Sequence, residues 1–237
     1  MSRTNGNGNF ERIPGKAALL EDIQLFERIE KTLYTAVIAD ALDELGQHDQ
    51  AMREYLRPLC PDCRFVGWAR TISCRDVYYL PPDPYEMELE AIDSILPGEI
   101  VAVATGESKR NAPWGELLST AAMARGARGA VIDGLVRDVV KIQAIGFPLF
   151  AAGIKPVDSK GRGLVVDYNV PVFCGGIVVN PGDLVVGDFD GVVAIPTHLV
   201  EETVRLATEK VEKENHSRRE LANGAYLSDV YAKYGVL

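Results

Sequence analysis

Two short segments carry the residues best suited to chemistry. In Trp114-Gly115-Glu116-Leu117-Leu118-Ser119-Thr120, a glycine follows a polar loop and opens a small-residue helical stripe. The first amides of such a helix have no intrahelical acceptor, so the turn at Gly115 can cradle an anion. In Asp133-Gly134-Leu135-Val136-Arg137-Asp138, the pattern predicts a buried strand that ends at Ile132, turns through Asp133-Gly134 and places Arg137-Asp138 before a short helix. Arginine offers a planar two-pronged clamp for a carboxylate, and aspartate a hard oxygen for a divalent cation. Together they suit a 2-oxo acid, whose enolate is stabilised by Lewis-acid polarisation. The same residues also read as plain structure: Asp138 as an N-cap, Arg137 as a surface charge, Asp133-Gly134 as a turn and Glu116 as a partner of the helix dipole.

Other chemistries find little support. There is no Gly-x-Gly-x-x-Gly, no P-loop and no Gly-x-Ser-x-Gly elbow. The three histidines (His48, His198, His216) lack metal-pair spacing, so any bound metal is expected on carboxylates and water, as a hard cation such as Mg²⁺ or Mn²⁺. Asp188-Phe189-Asp190-Gly191 resembles the start of a calcium loop but lacks its later ligands, and it sits between β-branched runs as a hairpin turn would. Cys60-Pro61-Asp62-Cys63 has no second pair and is flanked by prolines, which predicts a loop with reduced thiols.

The elements that must position these residues follow from periodicity. Residues 1–18, rich in Gly and Asn, read as a flexible lead-in. A helix is expected over Leu19 to Lys31, and Val37, Ile38, Ala41, Leu42 and Leu45 mark the face of another. A strand follows from Phe65 to Ser73, then a helix around Met87 to Leu96. Short apolar runs at 100–103, 130–132, 148–150, 165–166, 177–179, 184–186 and 192–195 are bounded by turn residues and read as buried strands. Helices are expected around 117–122, 138–145 and 198–222. Strand–helix–strand alternation followed by consecutive strands predicts a single α/β domain, a mixed sheet with helices packed on it, over 19–222, and 223–237 reads as a helical tail.

The chain has 237 residues, enough for a sizeable core without metal or disulfide, and a formal net charge of −9. That balance argues against nucleic acid as a partner. No apolar run is long enough for a bilayer and no secretory signal is visible, so the expected location is the cytoplasm, away from membranes. An acidic protein that takes an anionic substrate needs local cations, which is a reason to expect a metal beside Arg137.

The ordered segments Gly115-Glu116-Leu117-Leu118, Gly129 through Asp138, Gly146 through Phe150, Gly175 through Asp183 and Gly187 through Val193 resemble the RraA-like family. It includes 4-hydroxy-4-methyl-2-oxoglutarate / 4-carboxy-4-hydroxy-2-oxoadipate aldolases and the regulator of ribonuclease E activity. The resemblance implies an α/β/α fold in homotrimers or homohexamers with the active site at a subunit interface. It assigns Gly115, Glu116, Leu117, Leu118 and Arg137 to a small anionic 2-oxo acid, Arg137 and Glu116 to catalysis, and Asp138 to Mg²⁺ or Mn²⁺. The implied reaction is cleavage to pyruvate, with oxaloacetate decarboxylation alongside it. Two positions depart from the aldolase pattern, which usually has Asp at Glu116 and an acid at Lys141. The alternative is a non-catalytic regulator acting on a ribonuclease; such regulators tend to lose the aspartate kept here as Asp138. A Schiff-base enzyme using Lys141, Lys155 or Lys160 is a third reading. The Tyr78-Tyr79-Leu80-Pro81-Pro82-Asp83-Pro84-Tyr85 stretch suits a substrate-mouth wall, core packing or a subunit contact.

Overall fold

A computed structural model describes residues 2–4, 10–12 and 16–236, with side chains from residue 19. The lead-in expected over 1–18 therefore falls largely outside the described residues. Its described parts are strands β1 (Ser2–Thr4) and β2 (Phe10–Arg12), paired antiparallel, and the start of helix α1 (Lys16–Thr32). Helix α2 (Thr35–Glu44) begins where Asp188 accepts bonds from the Thr35 amide and hydroxyl, at 2.8 and 2.6 Å. Its apolar face, Val37, Ile38, Ala41 and Leu42, is buried as the spacing predicts.

The sheet is built from β3 (Arg57–Pro58), β4 (Phe65–Asp76), β5 (Glu99–Ala104), β6 (Gly129–Val136), β7 (Leu149–Ile154) and β8 (Gly163–Tyr168). A small pair, β9 (Val172–Cys174) and β10 (Ile177–Val179), precedes β11 (Leu184–Asp188) and β12 (Gly191–Ile195). Its order is β12-β11-β4-β5-β6-β7-β3, with β8 on the far half of β4. The β4, β5, β6 and β7 strands run parallel; the others join antiparallel. The β11–β12 hairpin turns at Phe189-Asp190, so the Asp-Gly segment is a turn, as expected. The two sheet edges approach each other, because Met52 donates to Val192 O and Arg57 to the carbonyls of Phe189 and Asp190. The sheet is thus nearly closed.

Alternation along the strands sorts the core. Phe65, Ile100, Ala102, Val131, Phe150, Val185 and Val192 point inward and meet the β9–β10 pair. Val101, Val103, Ala130 and Ile132 point outward beneath α3 (Glu86–Asp93), α4 (Glu116–Ala124) and α5 (Val139–Ala144). Val66, Leu184, Val186 and Val193 face α1, α2 and α6 (Val200–Ala222). Helix α7 (Leu227–Tyr234) ends the described chain, and its Lys233 and Tyr234 both bond Glu220 of α6. This is the mixed, helix-layered α/β architecture expected from the sequence.

Two expectations need correction. The strand expected to end at Ile132 continues to Val136: Ile132 pairs with Ala151 and Leu135 with Gly153, so Asp133-Gly134 is a bulge. The bulge exists because Asp133 is buried and accepts bonds from the Thr105 amide and hydroxyl, at 2.5 and 2.7 Å. Cys60 and Cys63, expected as reduced thiols, form a disulfide. Their turn, closed by Cys63 N to Cys60 O at 3.1 Å, sets the α-carbons 5.1 Å apart, within disulfide reach.

Candidate active site

Trp114 fixes the Gly115 turn. Its indole is buried, donates to Ser119 Oγ at 2.8 Å and stacks on Phe147. Ser119 Oγ in turn donates to Gly115 O at 3.1 Å. Trp114 also bridges Val136, and the Arg137 amide donates to Trp114 O at 2.9 Å. The loop before α4 and the carboxyl end of β6 are therefore locked side by side, where ligands of open α/β sheets bind.

That lock brings the residues singled out from the sequence together. A Cβ on Gly115 would lie 2.8 Å from Asp138 Oδ2 and 3.2 Å from Cγ and Nε of Arg137, so close approach demands glycine. The Glu116 amide lies 3.4 Å from Asp138 Oδ2. Gly115 has no side chain to cap α4 and Asp138 takes only the Glu116 amide, so the Leu117 and Leu118 amides keep the anion-binding geometry of a helix start. The leucine side chains themselves diverge: Leu117 is exposed, and Leu118 packs on the core. Glu116 Oε1 accepts from Thr120 at 2.9 Å, one helical turn on.

Asp138 occupies the N-cap position of α5 in left-handed conformation, φ 59° and ψ 28°, and makes no side-chain cap bond. Its carbonyl starts the helix by accepting from Lys141 and Ile142, which leaves the carboxylate to face Gly115 and Arg137. A non-glycine residue at positive φ costs of order 1–3 kcal/mol and clusters at functional sites. Arg137 Nε lies 3.8 Å from Asp138 Oδ2, and the two side chains stay 39% and 43% exposed, open to a ligand from solvent.

The structure adds Asp158 and Glu88, which sequence reasoning missed, and ties in Tyr85 from the aromatic-proline stretch. Arg137 Nη2 is 3.3 Å from Asp158 Oδ1, and the Tyr85 hydroxyl donates to Asp158 Oδ2 at 2.6 Å. Burial opposes ionisation of Asp158, but Tyr85, Arg137 and the amides of Ser159 and Lys160 together hold its carboxyl below the usual range. The bond to Asp158, with some burial, pushes the Tyr85 phenol up to about 12. Glu88 stands in the same field: burial and then Asp158 raise its carboxyl to about 7, against the opposing pull of Arg137. Asp158 was findable, since it follows β7, the strand paired with β6, after which Arg137 comes. Glu88 gave no signal beyond its place in an acidic helix.

Among the described residues, no group of three or more His, Cys, Asp or Glu side chains is arranged to hold a metal. A closed zinc-type cage is thus absent there. Asp138 instead presents one hard, solvent-open carboxylate. That donor set fits Mg²⁺ or Mn²⁺, which take one or two carboxylates and fill the rest with water and substrate oxygens. Lys155 donates its amine to Lys109 O at 2.7 Å, and Lys141 and Lys160 are exposed, so none of the three occupies the apolar pocket of a Schiff-base lysine.

The RraA-like family, described as Aldolase/RraA, matches residues 35–194, a span that contains the whole of this arrangement. The chain belongs to the RraA-like family. Among its relatives, a Halalkalibacterium halodurans protein named "Putative 4-hydroxy-4-methyl-2-oxoglutarate aldolase" is 32% identical over 202 residues, 85% of this chain and 90% of the relative. A protein of the same name from Ectopseudomonas mendocina is 35% identical over 57% of this chain and 78% of its own length. Streptomyces coelicolor RraAS2, titled an unusual member of the RNase ES inhibitor RraA protein family, superposes with a TM-score of 0.76 at 26% identity. That likeness covers 88% of this RraA-like chain and 98% of the other. No helix among the described residues is long and apolar enough to cross a membrane.

Proposed function

We propose that this RraA-like chain is a divalent-metal-dependent carbon–carbon lyase. It cleaves a 4-hydroxy-2-oxo acid to pyruvate and a second carbonyl product, and decarboxylates oxaloacetate by the same electron flow. The observation that carries this reading is the convergence of Arg137 and Asp138 on the turn at Gly115 that opens α4. The names of its aldolase relatives support it.

In this mechanism the Arg137 guanidinium binds the substrate carboxylate, and the Leu117 and Leu118 amides orient the 2-oxo acid end. Asp138 would hold the divalent cation, which when bound would supply Lewis-acid polarisation of the 2-oxo group. Glu116 handles the proton of the 4-hydroxyl through water, with its carboxylate steadied by the Thr120 hydroxyl. Lys141, exposed on α5, adds positive charge near an anionic substrate. We propose that the working form is a homotrimer or homohexamer. Leu117, Val140 and Ile154, on three elements that frame the site, are all strongly exposed and suit burial against another copy.

The test is pyruvate release from oxaloacetate and 4-hydroxy-2-oxo acids with Mg²⁺ or Mn²⁺. Release is expected to stop with EDTA and to fall by at least about 100-fold in Asp138→Ala. Turnover that survives both treatments overturns the reading. A second reading, a non-catalytic regulator of a ribonuclease, draws on the likeness to RraAS2. Tight ribonuclease capture with no turnover on any 2-oxo acid would select it.

A further inference from the structure

We propose that Tyr85 and Asp158 form a positioning pair for Arg137, and that through them the Tyr78–Tyr85 segment becomes part of the substrate site. The inference rests on the reading of Arg137 as the carboxylate-binding residue. The two Asp158 oxygens are divided between two partners: Oδ2 takes the Tyr85 hydroxyl at 2.6 Å, and Oδ1 faces Arg137 Nη2 at 3.3 Å. Asp158 is itself anchored by its backbone, which bridges Ala112 next to the Trp114 loop. Tyr85 is anchored at the start of α3.

Arg137 has a long, partly exposed side chain that would otherwise sample many rotamers. Asp158 on its Nη2 side and Asp138 on its Nε side fix the guanidinium plane before substrate arrives. Ordering a binding side chain in advance lowers the entropy cost of binding and sharpens the geometry of the bound acid. Tyr85 matters because it holds Asp158 in line with Arg137. Its raised phenol keeps the proton that the bond needs.

The other end of the segment is pinned to the same neighbour. The Arg110 guanidinium lies 3.9 Å over the Tyr78 ring and donates to the carbonyls of Val77 and Arg162. The Val77 amide also bonds Arg162 O at 2.9 Å. Residues 158–162 thus hold both ends of the aromatic-proline segment and one edge of Arg137. Tyr79 and Leu80, between the pins, are 62% and 60% exposed and form its apolar tip.

The experiment compares wild type, Tyr85→Phe and Asp158→Asn in the full chain. Steady-state kinetics are measured with oxaloacetate and Mg²⁺, and phenylglyoxal labelling of Arg137 is followed by mass spectrometry. Asp158→Asn is expected to raise KM about tenfold with kcat within about threefold, and Tyr85→Phe to raise KM about threefold. Arg137 is expected to label several-fold faster in both variants, with folding confirmed by thermal melting. Unchanged KM and unchanged labelling in both variants overturn the pair. A fall in kcat with KM unchanged also overturns it, because that pattern belongs to the chemical step. If wild type neither turns over oxaloacetate nor binds oxalate, the lyase reading fails, and labelling alone decides the pair: faster labelling keeps it, unchanged labelling removes it.

Discussion

Gly115 has no side chain, yet it sets the distance between the helix start and both charged residues of the site. A Cβ there would sit 2.8 Å from Asp138 Oδ2. Gly115→Ala is expected to push Arg137 and Asp138 aside and lower kcat/KM at least about tenfold. The melting temperature should shift little, because the displaced groups face solvent; parallel kinetics and calorimetry check both halves. Glu88 gives a prediction in pH. Burial raises its folded-state carboxyl to about 7 from the ordinary 4.5, so the folded protein holds this proton more tightly than the unfolded chain. Stability from this group is therefore greatest in acid, falls as pH rises from about 4.5 to 7, and is level above that. Glu88→Gln is expected to remove that decline, worth up to roughly 3 kcal/mol, in urea melts at pH 5 and 8. The Glu88 shift was not legible locally, since Glu88 is one of several acids in Glu86-Met87-Glu88-Leu89-Glu90 and its burial, with Asp158 and Arg137 from distant segments, distinguishes it.

At the scale of elements, the site depends on strand ends held in register. The long strand β4 carries Arg70, which is almost fully buried and bonds Glu99 at the start of β5 through two nitrogens, at 2.9 and 3.1 Å, and Ser94 O at 3.0 Å. Glu99 also accepts from the Leu96 amide, so this pair joins β4, the end of α3 and β5. Arg70→Met is expected to destabilise the fold by about 3–5 kcal/mol in denaturant titration, because it strips the guanidinium from a mostly buried carboxylate. Glycine at 134 serves a similar joint: a Cβ there would meet Thr105 Oγ1 at 2.5 Å, where Thr105 grips Asp133. Apolar runs and helical periodicity located the main elements, but two classes of feature escaped. Strands of two or three residues, β3 and β9, are too short to show a period. The bulge in β6 looks like a turn in sequence, because Asp-Gly is turn chemistry unless a distant Thr105 claims the aspartate.

For the molecule as a whole, the nearly closed sheet places the carboxyl ends of β6 and β7 together, and the proposed cation site lies at that end. If a cation binds there to the folded state alone, saturating Mg²⁺ or Mn²⁺ raises stability by about 2.7 kcal/mol at one hundred times Kd. Thermal melts with and without Mg²⁺ are expected to show this shift in wild type and to lose it in Asp138→Asn. The net charge of −9 acts in the same direction, as it draws cations towards a site that must also accept an anion. By itself the sequence determined the family, the helix and strand pattern, and the grouping of Gly115, Arg137 and Asp138, because those rest on local composition and on ordered motifs. Only the tertiary structure decided that Asp138 turns left-handed with its carboxylate aimed at the Gly115 turn, and that Asp158, Tyr85 and Glu88 gather around Arg137. The relations among Asp158, Tyr85, Glu88 and Arg137 join residues from 21 to 73 positions apart, and their energies come from burial and charge proximity that exist only once the chain has closed on itself.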